Sequence, residues 1–326
     1  MSSLNIVFFG TPDFAVPVLN ALLDNGYNVS GVFSGRGPIS DLAREYGIRV
    51  FQPISLKKAK PRSDAQSAST TGDEQTFEAF KLLKPDFCIV AAYGKILPAR
   101  YLDVPEHGFI NIHPSLLPKY RGPSPIQTAI LNGDKETGAT IMVVDEETDH
   151  GPILDSVKYQ IPNTKANVEI SQELFELGAK LLVQTLPKYL NGEIKPKEQD
   201  HSQATFTKMF TRENSRINWN SSAEKIYNQI RALNPEPGTW TTWNPSTSSG
   251  QAGKVINISN VTTRRVGYPQ RTDLGPGTVK KVDNKIAVAT SKGYLDLISV
   301  QLEGGKEMDA ADFVNGHSNF LNSQLE

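Results

Sequence analysis

The chain has 326 residues, more than a single domain usually holds, so two domains are expected, each long enough to bury its own core. A hydrophobic share of 38% and a charged share of 21% are those of an ordinary globular protein and exclude the disordered and fibrous classes. The lone cysteine, Cys88, excludes an intrachain disulfide and a CxxC site; with no secretory signal in Met1–Asn5 and no apolar run near the ~18 residues of a membrane span, a reducing, cytosolic setting is expected.

The first half alternates short apolar runs with helical patterns, as parallel α/β sheets do. Ile6–Phe9 reads as a buried strand, followed by the turn GTPD and an apolar helix over Phe14–Leu23 that Asn25 and Gly26 close. The turn is not GxGxxG, so it carries no dinucleotide fingerprint. A strand over Val29–Phe33, a short helix over Ile39–Tyr46 and a strand at Val50–Phe51 follow. Residues 57–75, rich in Lys, Ser and Thr, predict a mobile surface loop. Phe87–Ala91 is the most apolar strand and is expected at the sheet's centre, because strands buried on both faces lose polar alternation; Cys88 within it reads as an inert core thiol. Then come a strand at Phe109–Ile112, a helix over Pro125–Leu131, strands at Thr140–Val144 and Ile153–Gln160, and an amphipathic helix from Val168 to about Tyr189. This predicts a Rossmann-like α/β domain over residues 1–190 with a parallel-rich sheet.

Residues 191–207 are polar and carry proline and glycine, as linkers do. Beyond them, one helix (Ala223–Leu233) precedes short strands at Val255–Ile258, Gly277–Val282, Lys285–Ala289 and Tyr294–Val300, with a low-complexity loop over Trp243–Gly253. Residues 208–326 are thus expected to form a small C-terminal OB-like β-barrel, a fold that binds oligonucleotides. Charge is uneven along the chain. Residues 1–203 hold 20 Lys and Arg against 24 Asp and Glu, whereas residues 204–326 hold 14 against 11. Lys254, Arg264, Arg265, Arg271, Lys280, Lys281, Lys285 and Lys292 face only Asp273 and Asp283 in their stretch, which suits either a solvated face or a polyanion partner.

The sharpest stretch is GFINIHPSLLPKYRGPSPIQ, residues 108–127. Asn111 and His113 lie two apart at the end of a strand, so their side chains leave on the same face, and in an open α/β sheet the carboxyl ends of strands border the ligand crevice. A lone histidine there is more often structural than catalytic, and the pair lacks a carboxylate. Asp149 supplies one, on the expectation that the loop DEETDHG after Thr140–Val144 opens at the same sheet edge. Gly151 would admit close approach by a ligand, while Asp145, Glu146 and Glu147 also suit solvated surface charge.

The combination of Asn-x-His, a following SLLP and an Asp-x-Gly after the next strand, here NIHPSLLP and DHGPIL, resembles the 10-formyltetrahydrofolate-dependent formyltransferase family. The resemblance implies Asn111, His113 and Asp149 as the catalytic trio, with 10-formyltetrahydrofolate as formyl donor and no metal. It implies Ser115, Leu116, Leu117 and Pro118 as lining of the folate site, and the backbone of Gly94, Lys95 and Leu97 and of Val144, Asp145, Glu146 and Glu147 as the hold on the pterin ring. Four further stretches are similar to those members that formylate initiator methionyl-tRNA: FFGTPDFAVPVLNALL, AAYGKILP, KYRGPSPIQTAILNGDKETGATIM and INWNSSAEKIYNQIRALNPEPGTW. A monomer with a tRNA-binding C-terminal domain is the implied form. A nucleotide-linked amino sugar or glycinamide ribonucleotide is the alternative acceptor, and a non-catalytic nucleotide-binding module the alternative class. Two departures stand out: the basic loop after the second strand is shortened to Ser34–Pro38, leaving Arg36 as a tRNA contact or a plain surface turn, and His150 stands where threonine is common in the tRNA enzymes.

Overall fold

In the computed structural model the described residues are 4–57, 72–244, 253–263 and 274–326. The β-branched and aromatic runs of the first half become strands, as their composition favours: β1 (Asn5–Gly10), β2 (Asn28–Phe33), β3 (Arg49–Phe51), β4 (Phe87–Ala91) and β5 (Phe109–His113), joined by β6 (Glu136–Val143) and β7 (Ile153–Gln160). They form one seven-stranded sheet in the order β3-β2-β1-β4-β5-β6-β7. Pairings from β3 through β5 are parallel, and β6 runs antiparallel to both β5 and β7. The apolar β4 is buried throughout, beside β1 and β5 at the middle of the sheet.

Side chains alternate between two cores, following the period of two along each strand. Ile6, Phe8, Ile89, Ile110 and Ile112 face α1 (Val16–Asp24), α2 (Pro38–Glu45) and α6 (Asn167–Leu190) through Leu19, Ile39, Phe175 and Leu182. Val7, Phe9, Cys88, Val90 and Phe109 face the other way, where α3 (Gly72–Leu82) and α4 (Ala99–Leu102) contribute Phe80 and Tyr101. The end of the loop expected over 57–75 is therefore helical from Gly72, because Phe77 and Phe80, three apart, give α3 an apolar side. Residues 58–71 lie outside the described residues. Strand β6 begins four residues earlier than its apolar run predicts. Its opening Glu136-Thr137-Gly138 does not look like a strand, but a Cβ on Gly138 would stand 2.2 Å from the Val157 carbonyl oxygen, so only glycine fits this pairing.

The chain divides into two compact units: Met1–Pro125, Glu136–Ile161 and Val168–Thr207 form the first, and Ile126–Lys135, Pro162–Asn167 and Lys208–Glu326 the second. The stretch 191–207, which reads as a linker, is bonded into the first unit. Lys197 and Ile153 exchange N–H···O bonds of 2.8 Å, and Arg121 is bonded to Thr205 and Thr207 at 2.8 and 2.7 Å.

In the second unit, β8 (Trp240–Trp243), β9 (Lys254–Thr263), β10 (Val279–Val282), β11 (Lys285–Ala289) and β12 (Tyr294–Leu302) pair antiparallel in the order β10-β11-β12-β9-β8, with β13 (Glu307–Asp309) on β12. Residues 322–326 link the two edges. Asn322 and Ser323 bond to Val279 of β10, and Glu326 exchanges bonds with Thr242 of β8, which closes the sheet on itself as an OB-like barrel requires. Trp243, Ile258, Val288, Leu295, Phe313, Phe320 and Leu325 fill the interior. Helix α7 (Ala223–Leu233) is capped by Ser222, and its Arg231 donates to the carbonyls of Pro162 and Lys165; α5 (Pro125–Asn132) lies mostly in this unit, and α8 (Ala310–Gly316) is capped by Asp309. Residues 245–252 of the expected loop, and Arg264, Arg265 and Arg271 of the basic stretch, lie outside the described residues.

Closure through residues 322–326 should make Leu325 a stability determinant. Leu325→Ala is expected to destabilise the second unit by about 2–5 kcal/mol, the usual cost of truncating a buried leucine, as measured by urea unfolding followed through tryptophan fluorescence. An unchanged midpoint would mean that the closing segment contributes nothing to the barrel.

Candidate active site

Strand β5 passes from Phe109 in the second core to Asn111 and His113 on the same face, while Ile110 and Ile112 point into the first core. The strand thus changes from packing to polar chemistry along one face as it nears its carboxyl end. His113 is 4% exposed. Its Nε2 lies 2.9 Å from the Tyr120 carbonyl oxygen, which can only accept, so this nitrogen carries a hydrogen. Its Nδ1 lies 3.4 Å from Asp149 Oδ1. Both ring nitrogens therefore face acceptors, an arrangement that the doubly protonated ring satisfies.

The expected trio does come together. Asn111 Nδ2 is 3.5 Å from the same Oδ1, and Asp149 Oδ2 accepts from the Gly122 N–H at 2.7 Å. The route differs from the sequence expectation. Because β6 is antiparallel to β5, its last residues Met142 and Val143 lie opposite Asn111 and Ile110, with His113 opposite Thr140. The loop after β6 therefore starts at the far end of β5, and it folds back along the face to deliver Asp149. Gly151 is needed for this fold-back: a Cβ there would stand 2.1 Å from the Val143 carbonyl oxygen. Asp149 itself sits at a left-handed φ of 49°.

Burial works to raise the Asp149 pKa, but the His113 ring, the Gly122 N–H and the Arg121 guanidinium together outweigh it and hold the carboxyl below its ordinary value. The carboxylate is therefore an anion kept in that form by its surroundings.

The remaining expected residues occupy two loops and one turn. Gly94 is exposed after β4, Lys95 donates to the Pro53 carbonyl, and Leu97 packs on the second core. Val144 packs on that same core while its N–H bonds to Phe109; Asp145 accepts from Glu147 N–H, and Glu146 and Glu147 are exposed. Ser115 is wholly buried and its hydroxyl donates to the Lys119 carbonyl, so the hydroxyl is used inside the turn. Leu117 N–H donates to Thr140 Oγ1, Leu116 lies against Gly138, and the Pro118 carbonyl accepts from Thr205. Arg36 is exposed between β2 and α2.

Sequence reasoning missed several groups that surround His113 and Asp149. Tyr120 and Gly122 act through main-chain atoms, which no side-chain pattern reveals. Arg121, 3% exposed, bonds through Nε and Nη2 to Gln199 Oε1 at 3.2 and 2.7 Å and through Nη2 to His201 Nδ1 at 2.8 Å. The His201 ring stacks on His150 at 4.1 Å between centroids, and His150 Nδ1 lies 2.7 Å from Asp145 Oδ2. Among the described residues no group of three or more His, Cys, Asp or Glu could hold a metal ion, and no helix is long and apolar enough to cross a membrane.

A parallel-rich sheet bearing Asn, His and Asp on one face, followed by an antiparallel barrel, defines the class. Residues 4–186 match the formyl transferase family and residues 209–318 the formyl transferase C-terminal domain. The chain belongs to the formyltransferase family. It is 41% identical to a methionyl-tRNA formyltransferase of Roseiflexus sp. (strain RS-1), over 96% of this chain and 92% of that one. The fold is also similar to that of methionyl-tRNA formyltransferase from Clostridium thermocellum, with a TM-score of 0.56 and 19% identity over 89% of this chain and 98% of that one. HypX from Aquifex aeolicus in complex with tetrahydrofolic acid gives a TM-score of 0.66 at 18% identity; 97% of this chain aligns, spanning 48% of HypX.

The depressed Asp149 pKa has a consequence for stability. Such a carboxylate contributes stability above the unfolded-state pKa of about 3.9, and the contribution is lost as pH falls through the lower folded-state value. Asp149→Asn should therefore be less stable than wild type at neutral pH, with the gap closing in acid. Unfolding midpoints measured at stepped pH check this, and a gap that holds constant or widens in acid would refute it.

Proposed function

We propose that this chain transfers the formyl group of 10-formyltetrahydrofolate to the α-amine of initiator methionyl-tRNA, giving N-formylmethionyl-tRNA and tetrahydrofolate. The observation that carries the reading is the convergence of Asn111, His113 and Asp149 on one face of β5, in a chain with a methionyl-tRNA formyltransferase relative of near-equal length.

The amine nitrogen attacks the formyl carbon carried on N10 of the folate. A C–N bond forms and the carbonyl electron pair moves to oxygen, giving a tetrahedral oxyanion. Asn111 donates an amide N–H to that oxygen, and His113, protonated or donating, stabilises its charge; one such preorganised donor is typically worth about 3 kcal/mol. Asp149 orients His113 and accepts the proton that the attacking amine releases, directly or through water. The oxygen's electron pair then re-forms the carbonyl as the bond from carbon to N10 breaks, and N10 takes the proton that Asp149 accepted, directly or through water, to leave as tetrahydrofolate. In this reading Ser115, Leu116, Leu117 and Pro118 shape the folate site, and the main chain at Gly94, Lys95 and Leu97 and over Val144–Glu147 meets the pterin.

Residues 1–190 carry the chemistry in this proposal, and residues 208–326 hold the tRNA in a monomeric, cytoplasmic enzyme. The charge balance supports a polyanion partner, with Lys and Arg exceeding acidic residues only beyond residue 203. So does the half-buried ring of Trp240, which has the guanidinium groups of Arg212 and Arg216 at 5.6 and 5.3 Å from its centre. Aromatic and guanidinium groups side by side are a surface on which unpaired bases stack.

The first test is a transfer assay with 10-formyltetrahydrofolate and charged methionyl-tRNA. His113→Ala and Asp149→Asn are each expected to lower turnover by on the order of 10²- to 10⁴-fold. Wild-type rates in both variants would remove the trio, and product formed on a nucleotide-linked amino sugar but not on tRNA would replace the acceptor. Binding of methionyl-tRNA should also weaken steeply with salt, because neutralising phosphates releases counterions. An affinity that stays flat from low to physiological salt would contradict the role given to the second unit.

A further inference from the structure

Asp149 is presented from a loop that has left its sheet, in a left-handed conformation that side-chain-bearing residues seldom adopt. Something must hold the main chain there. Gln199, 5% exposed, is the group that does so: its Nε2 donates to the Asp149 carbonyl at 2.9 Å and to the Gly151 carbonyl at 2.7 Å. Its Oε1 accepts both Arg121 bonds. These partners fix the amide orientation, because two carbonyls can only accept and a guanidinium can only donate. A primary amide is the side chain whose chemistry meets both demands.

Arg121 is anchored in turn. Its main chain pairs with Thr205 and Thr207, and the next residue, Gly122, donates to Asp149 Oδ2. Arg121 and Gly122 therefore grip Asp149 from two sides, through the carboxylate directly and through the main chain by way of Gln199. Beyond Arg121, His201 accepts at Nδ1 and stacks flat on His150, which is tied to Asp145. The polar chain runs from Asp145 around to Asp149 without a break.

We infer that Gln199 is a positioning residue for formyl transfer: with Arg121 it sets the main chain of Asp149 and Gly151, and so fixes where the Asp149 carboxylate stands against His113 and Asn111. The inference rests on the reading of Asp149 as the proton acceptor. It also assigns part of the stretch 191–207 to the reaction, although that stretch reads from its composition as a tether.

Gln199→Glu is the discriminating variant. It keeps the size of the side chain and an acceptor for Arg121, but it turns oxygen lone pairs toward the two carbonyls. Misplacement of a catalytic group by under an ångström typically slows turnover by on the order of ten- to a hundredfold, and that loss is expected in kcat while both KM values change by less than about twofold. The acid limb of the kcat/KM profile should move to higher pH, because the Gly122 N–H and the Arg121 charge help to keep the Asp149 carboxyl ionised. Added to Asp149→Asn, the substitution should cause no further loss, since its effect runs through that carboxylate.

Arg121→Lys, which keeps the charge and loses the paired bonds, should show the same pattern more weakly. A folded Gln199→Glu enzyme with wild-type kcat and pH profile overturns the inference, as does an equal loss in the Asp149→Asn background. Failure of both single variants to fold would make Gln199 a support of the fold and overturn its role in positioning. If Asp149→Asn alone turns over at the wild-type rate, the catalytic reading of Asp149 fails instead, and the inference falls with it.

Discussion

A carboxylate shielded from water is costly unless its oxygens find charged or hydrogen-bonding partners, and removing such a partner typically costs about 3–5 kcal/mol. Asp149 carries that demand in the middle of the site. Its Oδ1 is shared by His113 and Asn111, and its Oδ2 takes the Gly122 N–H. Much of the local architecture follows from meeting these requirements. The turn Ser115–Gly122 must come back over β5 to present the Tyr120 carbonyl to His113 and the Gly122 N–H to the carboxylate, and the loop after β6 must fold back along the face. The same partners that permit burial also keep the group ionised, so one set of contacts both stabilises the fold and holds the carboxylate as an anion.

The reversal of β6 is what makes the fold-back necessary. Had β6 continued the parallel pattern, its carboxyl end would have stood beside His113 and a short loop could have offered an acid there. In the antiparallel arrangement Val143 lies beside Ile110, three residues back along β5, or roughly 10 Å at the usual rise of a strand. Glycine absorbs the tight passage at 151, where the chain crosses the Val143 carbonyl. A loop leaving the sheet at that point has no ladder of hydrogen bonds to define it, so side chains must take over. This explains why a buried glutamine and a buried arginine accompany the acid.

Much of this was legible in the sequence. The uninterrupted apolarity of Phe87–Ala91 marked the centre of the sheet, and the two-residue spacing of Asn111 and His113 between isoleucines marked a polar patch on a strand face. Strand direction was not legible: a run such as Thr140–Val144 has the same pattern whichever way it pairs, and the 22 residues between β5 and β6 with their helix α5 suit a parallel crossover as well as an antiparallel return. Gln199 was hidden for a related reason. In the string KPKEQDHSQ all but the proline are polar, so composition gives no sign that one glutamine turns inward. Its burial comes from partners 50 and 78 positions away. At Gly151 the glycine was visible but the crowding that requires it was not, since that crowding comes from the protein's own backbone.

Arg121 shows how a charge can act without touching its target. Its described hydrogen-bond partners, Gln199 and His201, accept through neutral atoms, and the nearby ring of Phe206 is neutral as well. A guanidinium paired with a carboxylate would spend its field on that partner. Held only by dipoles in a setting that screens poorly, it retains its field and lowers the pKa of Asp149 from a distance. The stacked rings of His150 and His201 then close the outer side of the guanidinium, with Asp145 taking up the far imidazole. The departure at His150 thus belongs to the outer layer of the Asp149 site.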